Sequence, residues 1–415
     1  MTNVKSKLWR NWSGSVKSQP AQRVDASTET EIVDLIQAAA AQKTHIRPVG
    51  SAHSFSPICR TDSILLSMNG LQGISSINTA QKQVTIKAGS VLHDLGQPLC
   101  DAKLAFPNQG DIDVQTLAGV VGTGTHGTGL GSSNLSSLVQ RVRLATATGE
   151  VITLERGKDD ASFDGASFDA AMVSIGTLGI FLEFTLNITN RYLLLEQNGV
   201  LETAVCLDTF PHIDKTHRNA EFYWLPADDK CVLKTFDTTD APMTAEDEME
   251  IELAAAGTIE RYLLPDRVHW SHRIFPSIRN VLFNEMEFAV PIEGGIACFK
   301  EIQKLMRTKY PNISWAVEYR TLGADTAFLS QAYKRPSACI SIHEDAAKEC
   351  RPFFKDAQEI FLAFEGRPHW GKFHFLSGEQ LGRQYPKWND FLAVRQAVDP
   401  DGLFLNDELK RMFGL

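Results

Sequence analysis

Apolar positions along this chain follow two different periods. In the first half Ile32, Leu35, Ile36 and Ala39 recur at helical spacing. Thr28-Glu-Thr-Glu31 ahead of them is a capping box, so the pattern predicts a helix running to about Lys43. Ile46–Val49, Ile64–Leu66 and Val84–Lys87 predict short strands, Asn69-Gly70 a turn, and Val91–Lys103 a second helix. From Val139 the run VQRVRLATATGEVITL reads as strand, turn, strand, and Ser174–Ile188 as a glycine-bent strand.

The second half alternates more strictly. In Ile313–Arg320 (ISWAVEYR), Ile313, Trp315, Val317 and Tyr319 take one face of a strand, and Ser314, Ala316, Glu318 and Arg320 the other. Cys339–His343 predicts a second strand with Cys339, Ser341 and His343 on one face. Arg367–Phe375 (RPHWGKFHF), if extended, puts Trp370, Lys372 and His374 together. Thr244–Ala255 reads as an acidic amphipathic helix with a solvated face. The mixture of short strands and helices predicts an α+β fold.

Composition narrows the function classes. The 415 residues are 43% hydrophobic and 22% charged, which suits a folded chain of two or three domains. A net charge of −9 with no basic run argues against nucleic acid as a partner. No apolar run reaches the roughly 20 residues of a transmembrane helix, and the N-terminal MTNVKSKLWRNWSG lacks the apolar core of a signal peptide. Seven scattered cysteines without a Cys-x-x-Cys pair read as reduced core residues of a cytoplasmic protein. The histidines lack metal-ligand spacing, and no G-x-S-x-G elbow is present, so neither a metal site nor a serine hydrolase is expected.

Two glycine-rich loops carry the first candidate chemistry: RPVGSAHSFSP (Arg47–Pro57) and GTGTHGTG (Gly122–Gly129). Glycine interleaved with Ser and Thr leaves backbone N–H groups bare, which suits a phosphate; a purely structural loop is the alternative. Gly122, Gly124 and Gly127 match G-x-G-x-x-G, but a Ser-rich stretch and a hairpin follow, so a Rossmann site is not expected. Glu318 and Arg320, two apart on a strand, read as a site pair or as a surface ion pair. His343 alone reads more readily as structural. Lys372 between aromatics is costly unless it faces an anion or a polar cleft.

Together, RPVGSAHSFSP, PNQGDIDVQTLAG, GTGTHGTG, VEYR, HWGK and the tail FLNDELKRMFGL resemble the sugar-1,4-lactone oxidases. These form the aldonolactone oxidase branch of the vanillyl-alcohol-oxidase, or PCMH-type, FAD-linked oxidases. The resemblance runs along nearly the whole chain. It implies a PCMH-type FAD-binding domain of two α+β subdomains at 1–185. A substrate (cap) domain with a large antiparallel sheet flanked by helices follows at 186–385, and 386–415 returns to the FAD domain.

The resemblance also implies roles for residues. His53 matches the histidine bonded to the flavin 8α-methyl in many members. The backbone of Val49, Gly50, Ser51, Ala52, Ser54 and Phe55, with Thr123, Gly124, Thr125, His126 and Gly127, would hold the cofactor's pyrophosphate region. Thr116 and Gly119 match further cofactor contacts, and Gly179 and Ile180 would line the adenine end. Gly110 stands where the family places a small residue gating oxygen. Glu318 and Arg320 match the acid–arginine pair beside the isoalloxazine, and Lys372 the cation near flavin and substrate, with His369 beside it. His343 joins the catalytic set. Asp111, Ser341 and His343 depart from the pattern of relatives that oxidise open-chain alditols, which favours a lactone substrate.

The implied reaction passes a hydride from the C2 carbinol of an aldono-1,4-lactone to flavin N5, and oxygen becomes hydrogen peroxide. Glu318 would orient Arg320 or accept the hydroxyl proton. The alternatives are an alditol oxidase and a flavin dehydrogenase using another acceptor. Expected partners are a small sugar lactone or polyol and molecular oxygen, with the protein a monomer or small homo-oligomer.

Overall fold

Thr28 starts the first helix as its sequence dictates. Its hydroxyl accepts from the Glu31 N–H at 3.2 Å, and the Glu31 carboxylate accepts from the Thr28 N–H at 3.2 Å. The helix Glu29–Gln42 then buries Ile32, Leu35, Ile36 and Ala39 and stops at Lys43 in the left-handed region. The computed structural model describes residues 4–5, 7–158, 167–244, 257–279 and 281–415. The expected acidic helix at Thr244–Ala255 lies outside them except for Thr244.

Two larger sheets build the first part of the chain, beside two two-stranded ribbons among the described residues. The four-stranded sheet runs in the order Val4–Lys5, Gln22–Asp25, Ile64–Ser67, Ile46–Val49, and its last three strands are parallel. The five-stranded sheet is antiparallel, in the order Val151–Glu155, Val139–Ala145, Ile180–Asn187, Gln83–Lys87, Ile74–Asn78. Ile180–Asn187 is shorter than the glycine-bent strand expected from Ser174. Val173, Ile175, Gly176 and Gly179 all have positive φ, so the chain turns there before it extends. The second helix forms as expected, at Leu92–Asp101.

An eight-stranded antiparallel sheet occupies the second part, from Leu193 to Pro368. Four of its strands carry the site: β1 (Asn219–Leu225), β2 (Phe283–Pro291), β3 (Val317–Leu322) and β4 (Ser337–Asp345). They lie side by side in the order β1-β3-β4-β2. Phe222 pairs with Tyr319, Tyr319 with Ile340 and Ile340 with Phe288, which makes one apolar row across the sheet. Helical residues cover that row: Phe299 lies edge-on to Phe222 at 5.1 Å, and Phe361 stacks on Phe288 at 4.9 Å. The adjacent row on the opposite face is polar, Tyr223–Glu318–Ser341–Glu287. Strand alternation thus turns Glu285, Glu287, Glu318, Arg320 and His343 to the face opposite that apolar row.

The last three helices, Gly378–Gln384, Trp388–Val398 and Asp407–Phe413, bring the chain back to its beginning. Ile46 donates its N–H to the Leu403 carbonyl at 2.9 Å. Asn406 caps the final helix and also donates to the carbonyls of Pro57 and Arg60 at 3.0 and 2.8 Å. Among the described residues no helix is long and apolar enough to cross a membrane.

Candidate active site

The strand Ile46–Val49 ends in the first glycine-rich loop, where Ala52 adopts φ +60°. Phe55 spends its N–H on the Gly371 carbonyl at 2.7 Å, and Ala52 accepts from the Trp12 N–H at 2.8 Å. Among the described residues no protein acceptor takes the N–H of Ser51, Ala52, His53 or Ser54. A turn of unspent amides around a left-handed residue is an anion nest. Arg47 clamps the surrounding walls. Its fully buried guanidinium donates to the carbonyls of Ile58, Ile175 and Gly176 at 2.9–3.0 Å and to Phe404, and burial lowers its pKa to about 10.

These walls enclose a cleft lined by Val49–Ser54, Gln115, Thr116, Gly119, Thr123, Gly176 and Gly179. Gly50 is needed there: a Cβ at that position would sit 2.2 Å from Thr116 Oγ1. The cleft, its unspent amides and its small residues fit FAD, whose pyrophosphate is the kind of anion a nest accommodates.

A second cleft opens beyond His53 and shares His53, Ser54, Gln115 and Thr123 with the first. It is lined by Asp111, Tyr223, Glu285, Glu318, Arg320, His343, His369 and Lys372, with Trp12, Phe55 and Phe283 as apolar wall. Trp12 stacks on His53 at 5.4 Å. Burial first, then the Lys372 charge, lowers His53 to about 4, so its imidazole is neutral near pH 7.

Arg320 is the hub of this cleft. Its Nη2 lies 2.8 Å from Glu287 and 3.4 Å from Glu318, and its Nη1 lies 3.8 Å from Asp111. Against the cost of burial, these carboxylates hold its pKa well above the ordinary value. Glu287 is fully buried and accepts from Arg320, from His126 Nε2 at 2.7 Å and from Ser341 Oγ at 2.9 Å. Burial lowers the His126 pKa, but Cys339 and Glu287 outweigh it and raise it to about 10. The two cations hold Glu287 well below the carboxylate range despite its desolvation. Lys372 pairs with Glu285, and its ammonium lies 5.3 Å from the Phe55 ring centre. Arg279 pairs with Asp111.

The structure therefore brings Glu318, Arg320, Lys372, His343, His369 and Asp111 together around one cavity, next to the His53 loop. Other expected residues fall elsewhere. Gly110, Gly124, Thr125, His126, Gly127, Ile180 and Ser341 line neither cleft. The second glycine-rich segment is in part the end of a helix, Leu117–Thr123, with Gly124 as its left-handed cap. The N–H groups of Gly124 and Thr125 close that helix onto Val121 and Val120, so they are not free for a phosphate. His126 acts through its ring on Glu287, and Ser341 also serves Glu287 and not a ligand. Arg367–Phe375 is not a strand beyond Pro368; Lys372 donates its N–H to His369 at 3.0 Å, and the turn swings its side chain into the cleft. His374 is buried elsewhere, edge-on to Trp370 at 5.8 Å.

Sequence reasoning missed Glu285, Glu287, Tyr223, Glu221, Arg279 and Trp12. The signal for the first two was present, since Glu285–Val290 alternates and sets Glu285 and Glu287 on one face, opposite Met286, Phe288 and Val290. The fold also gathers ligand-type residues that spacing did not reveal. His126, Glu287 and His369 form one trio and Glu285, Glu318 and His343 another, with atoms within 4.8 Å of each other. In the first trio His126 donates to Glu287 and His369 Nδ1 accepts from Gly371 N–H, so both are already engaged.

Comparison with known proteins agrees with this geometry. The family description D-arabinono-1,4-lactone oxidase matches residues 264–412, and an FAD binding domain matches residues 20–155. L-gulono-1,4-lactone dehydrogenase of Mycobacterium tuberculosis is 33% identical, over 99% of this chain and 100% of its own length. L-gulonolactone oxidase of Scyliorhinus torazame is 28% identical over 98% of each chain. Alditol oxidase of a Streptomyces species is 25% identical over 96% of this chain and 97% of its own. Among solved structures, cholesterol oxidase from B. sterolicum superposes with a TM-score of 0.84 at 16% identity, covering 99% of this chain and 97% of that one. That likeness establishes the shared fold.

Proposed function

The chain belongs to the aldonolactone oxidase branch of the FAD-linked oxidases, and from that premise we propose that it oxidises sugar 1,4-lactones of the D-arabinono or L-gulono type. The observation that carries this reading is the convergence of Glu318, Arg320 and Lys372 on a cavity that begins where the His53 loop ends. FAD, when bound, supplies the hydride acceptor.

The protein's own residues supply the rest. The amides of Ser51–Ser54 hold the pyrophosphate. His53, neutral because it is buried beside Lys372, has a nucleophilic nitrogen and is the proposed point of covalent attachment. Lys372 places positive charge where negative charge develops during oxidation. Arg320 forks onto the oxygens of the lactone. Glu287 takes the work of orienting Arg320, at 2.8 Å against 3.4 Å for Glu318. That leaves Glu318 to accept the proton of the substrate hydroxyl. Trp12, Phe55 and Phe283 keep bulk water from this cluster.

Oxygen is the proposed acceptor. Gly110 itself packs outside both clefts, where a Cβ would lie 3.2 Å from the His126 carbonyl. The proposal has a direct test: acid-denatured protein should retain its yellow flavin, and the native enzyme should release one peroxide per lactone oxidised. Flavin released by acid overturns the covalent bond alone. Fast dye reduction without peroxide assigns the dehydrogenase reading.

A further inference from the structure

Oxidation of a carbinol removes a proton from oxygen as well as a hydride from carbon, and the proton must be carried away from the group that first accepts it before the next turnover. On the reading above, it reaches Glu318 first. Behind Glu318 lies an arrangement that the reaction so far leaves unused. Tyr223, fully buried on β1, sits opposite Glu318 on β3. Its hydroxyl lies 2.9 Å from Glu318 Oε1 and 3.1 Å from Glu221 Oε1. One phenol has one hydrogen and cannot donate to both carboxylates at once.

The three groups also bridge two spaces. Glu318 lines the catalytic cleft and not the smaller cavity behind it. Glu221 lines the smaller cavity and not the cleft. Tyr223 lines both, as the wall between them. The smaller cavity is bordered by Glu196, Lys234 and Arg267 and reaches Ile278, which is 54% exposed.

From this geometry we propose that Glu318, Tyr223 and Glu221 form a proton relay that carries the substrate's hydroxyl proton out of the catalytic cleft into the rear cavity. In the first step the substrate O–H bond breaks and a Glu318 O–H bond forms. Glu318 then returns that proton to the Tyr223 oxygen as Tyr223 passes its own hydrogen to Glu221. One O–H bond breaks and one forms at each transfer, and Tyr223 ends neutral. Glu318 is ionised again, and Glu221 releases the proton to water in the rear cavity.

The environment of Glu221 suits a proton that is held and released near neutrality. Burial, then the charge of Glu318, raises its pKa, opposed by Lys234 and Arg320, with Asp111 adding to the rise; the balance lies at about 7. Arg261, Tyr262, Arg267, Arg279 and Glu196 border the same cavity. Glu221 is protonated below that pH and able to accept above it, so substrate oxidation rises with pH through about 7.

The test is a pair of measurements on the FAD-loaded enzyme. Without substrate, infrared difference spectroscopy should show a carboxylic-acid band that disappears near pH 7 in wild type and is absent in Glu221→Gln. With lactone under anaerobic conditions, Glu221→Gln and Tyr223→Phe should each slow flavin reduction by roughly tenfold to a hundredfold, less than loss of the proton acceptor itself. Glu221→Gln should also lose the rise near pH 7, while Glu221→Asp keeps it. If either variant fails to retain FAD, the wild-type infrared titration and the other variant decide. No such band in wild type, or rates within twofold of wild type with the pH profile unchanged, overturns the relay. The infrared arm uses no substrate, so failure of the lactone reading would leave it intact.

Discussion

The two clefts that meet at His53 are made of different materials. The first is walled by backbone amides, glycines and short hydroxyl side chains, with Arg47 held in its wall by carbonyls. The second is walled by side-chain charges from strands far apart in sequence, balanced carboxylate against cation. Backbone walls suit a constant anion and tolerate few substitutions of shape. A charged wall suits a reaction in which charge moves, and its parts can be exchanged one by one. The two clefts should therefore respond differently to mutation.

The largest expected effect is on the charged side. Arg320→Met or Lys372→Met should lower the rate of flavin reduction by roughly 10²–10⁴-fold, with FAD content unchanged. A stopped-flow trace and a flavin absorbance reading check both halves. A fall below tenfold for both variants would reduce the cluster to ordinary ion pairs. Glu287→Ala comes next. It takes away the carboxylate bonded to His126 and the one nearest Arg320, so it should cost about 3–5 kcal/mol of stability in a denaturant melt. The backbone side is the mirror image. Gly50→Val forces a Cβ against Thr116 Oγ1 and should cost about 1–3 kcal/mol, seen as lost FAD retention. If Gly50→Val kept its flavin and Arg320→Met lost it, the division between the clefts would be wrong.

How much of each cleft was legible in sequence follows from the same difference. The His53 loop is local, so its Gly-Ser-Ala-His-Ser run reveals it directly. Glu318 and Arg320 were legible because two charges on one alternating strand must share a face. The strand on the far side of β4, with Glu285 and Glu287, carries a similar signal, yet only its register beside Ser341 and His343 shows that it completes the site. Tyr223 and Glu221 sit two apart on β1, and nothing local in NAEFYWL says that β3 lies alongside. The second glycine-rich segment is less open than its composition suggests, because LAGVVGT forms a helix whose closing bonds take the N–H groups of Gly124 and Thr125. HWGK misled, since alternation suggested a strand where Gly371 makes a turn.

A change of pH tests the balance of charge behind Arg320. His126 is raised in the folded protein to about 10, from roughly 6.5 unfolded. The stability it contributes is full below the lower value and is lost as pH rises through the higher one. Glu287 is depressed, so its share is lost only as pH falls into the acid range. Melting temperature should therefore decline between about pH 6.5 and 10 in wild type and decline less in His126→Gln. A thermal-shift series at constant ionic strength reads it.

The central claim is that this charged cleft is built for a lactone. It is tested most directly by kcat/KM for an aldono-1,4-lactone against the open alditol of the same carbon count, with the wild-type enzyme in air-saturated buffer. The lactone should be the better substrate. Xylitol or sorbitol as the better substrate would contradict it.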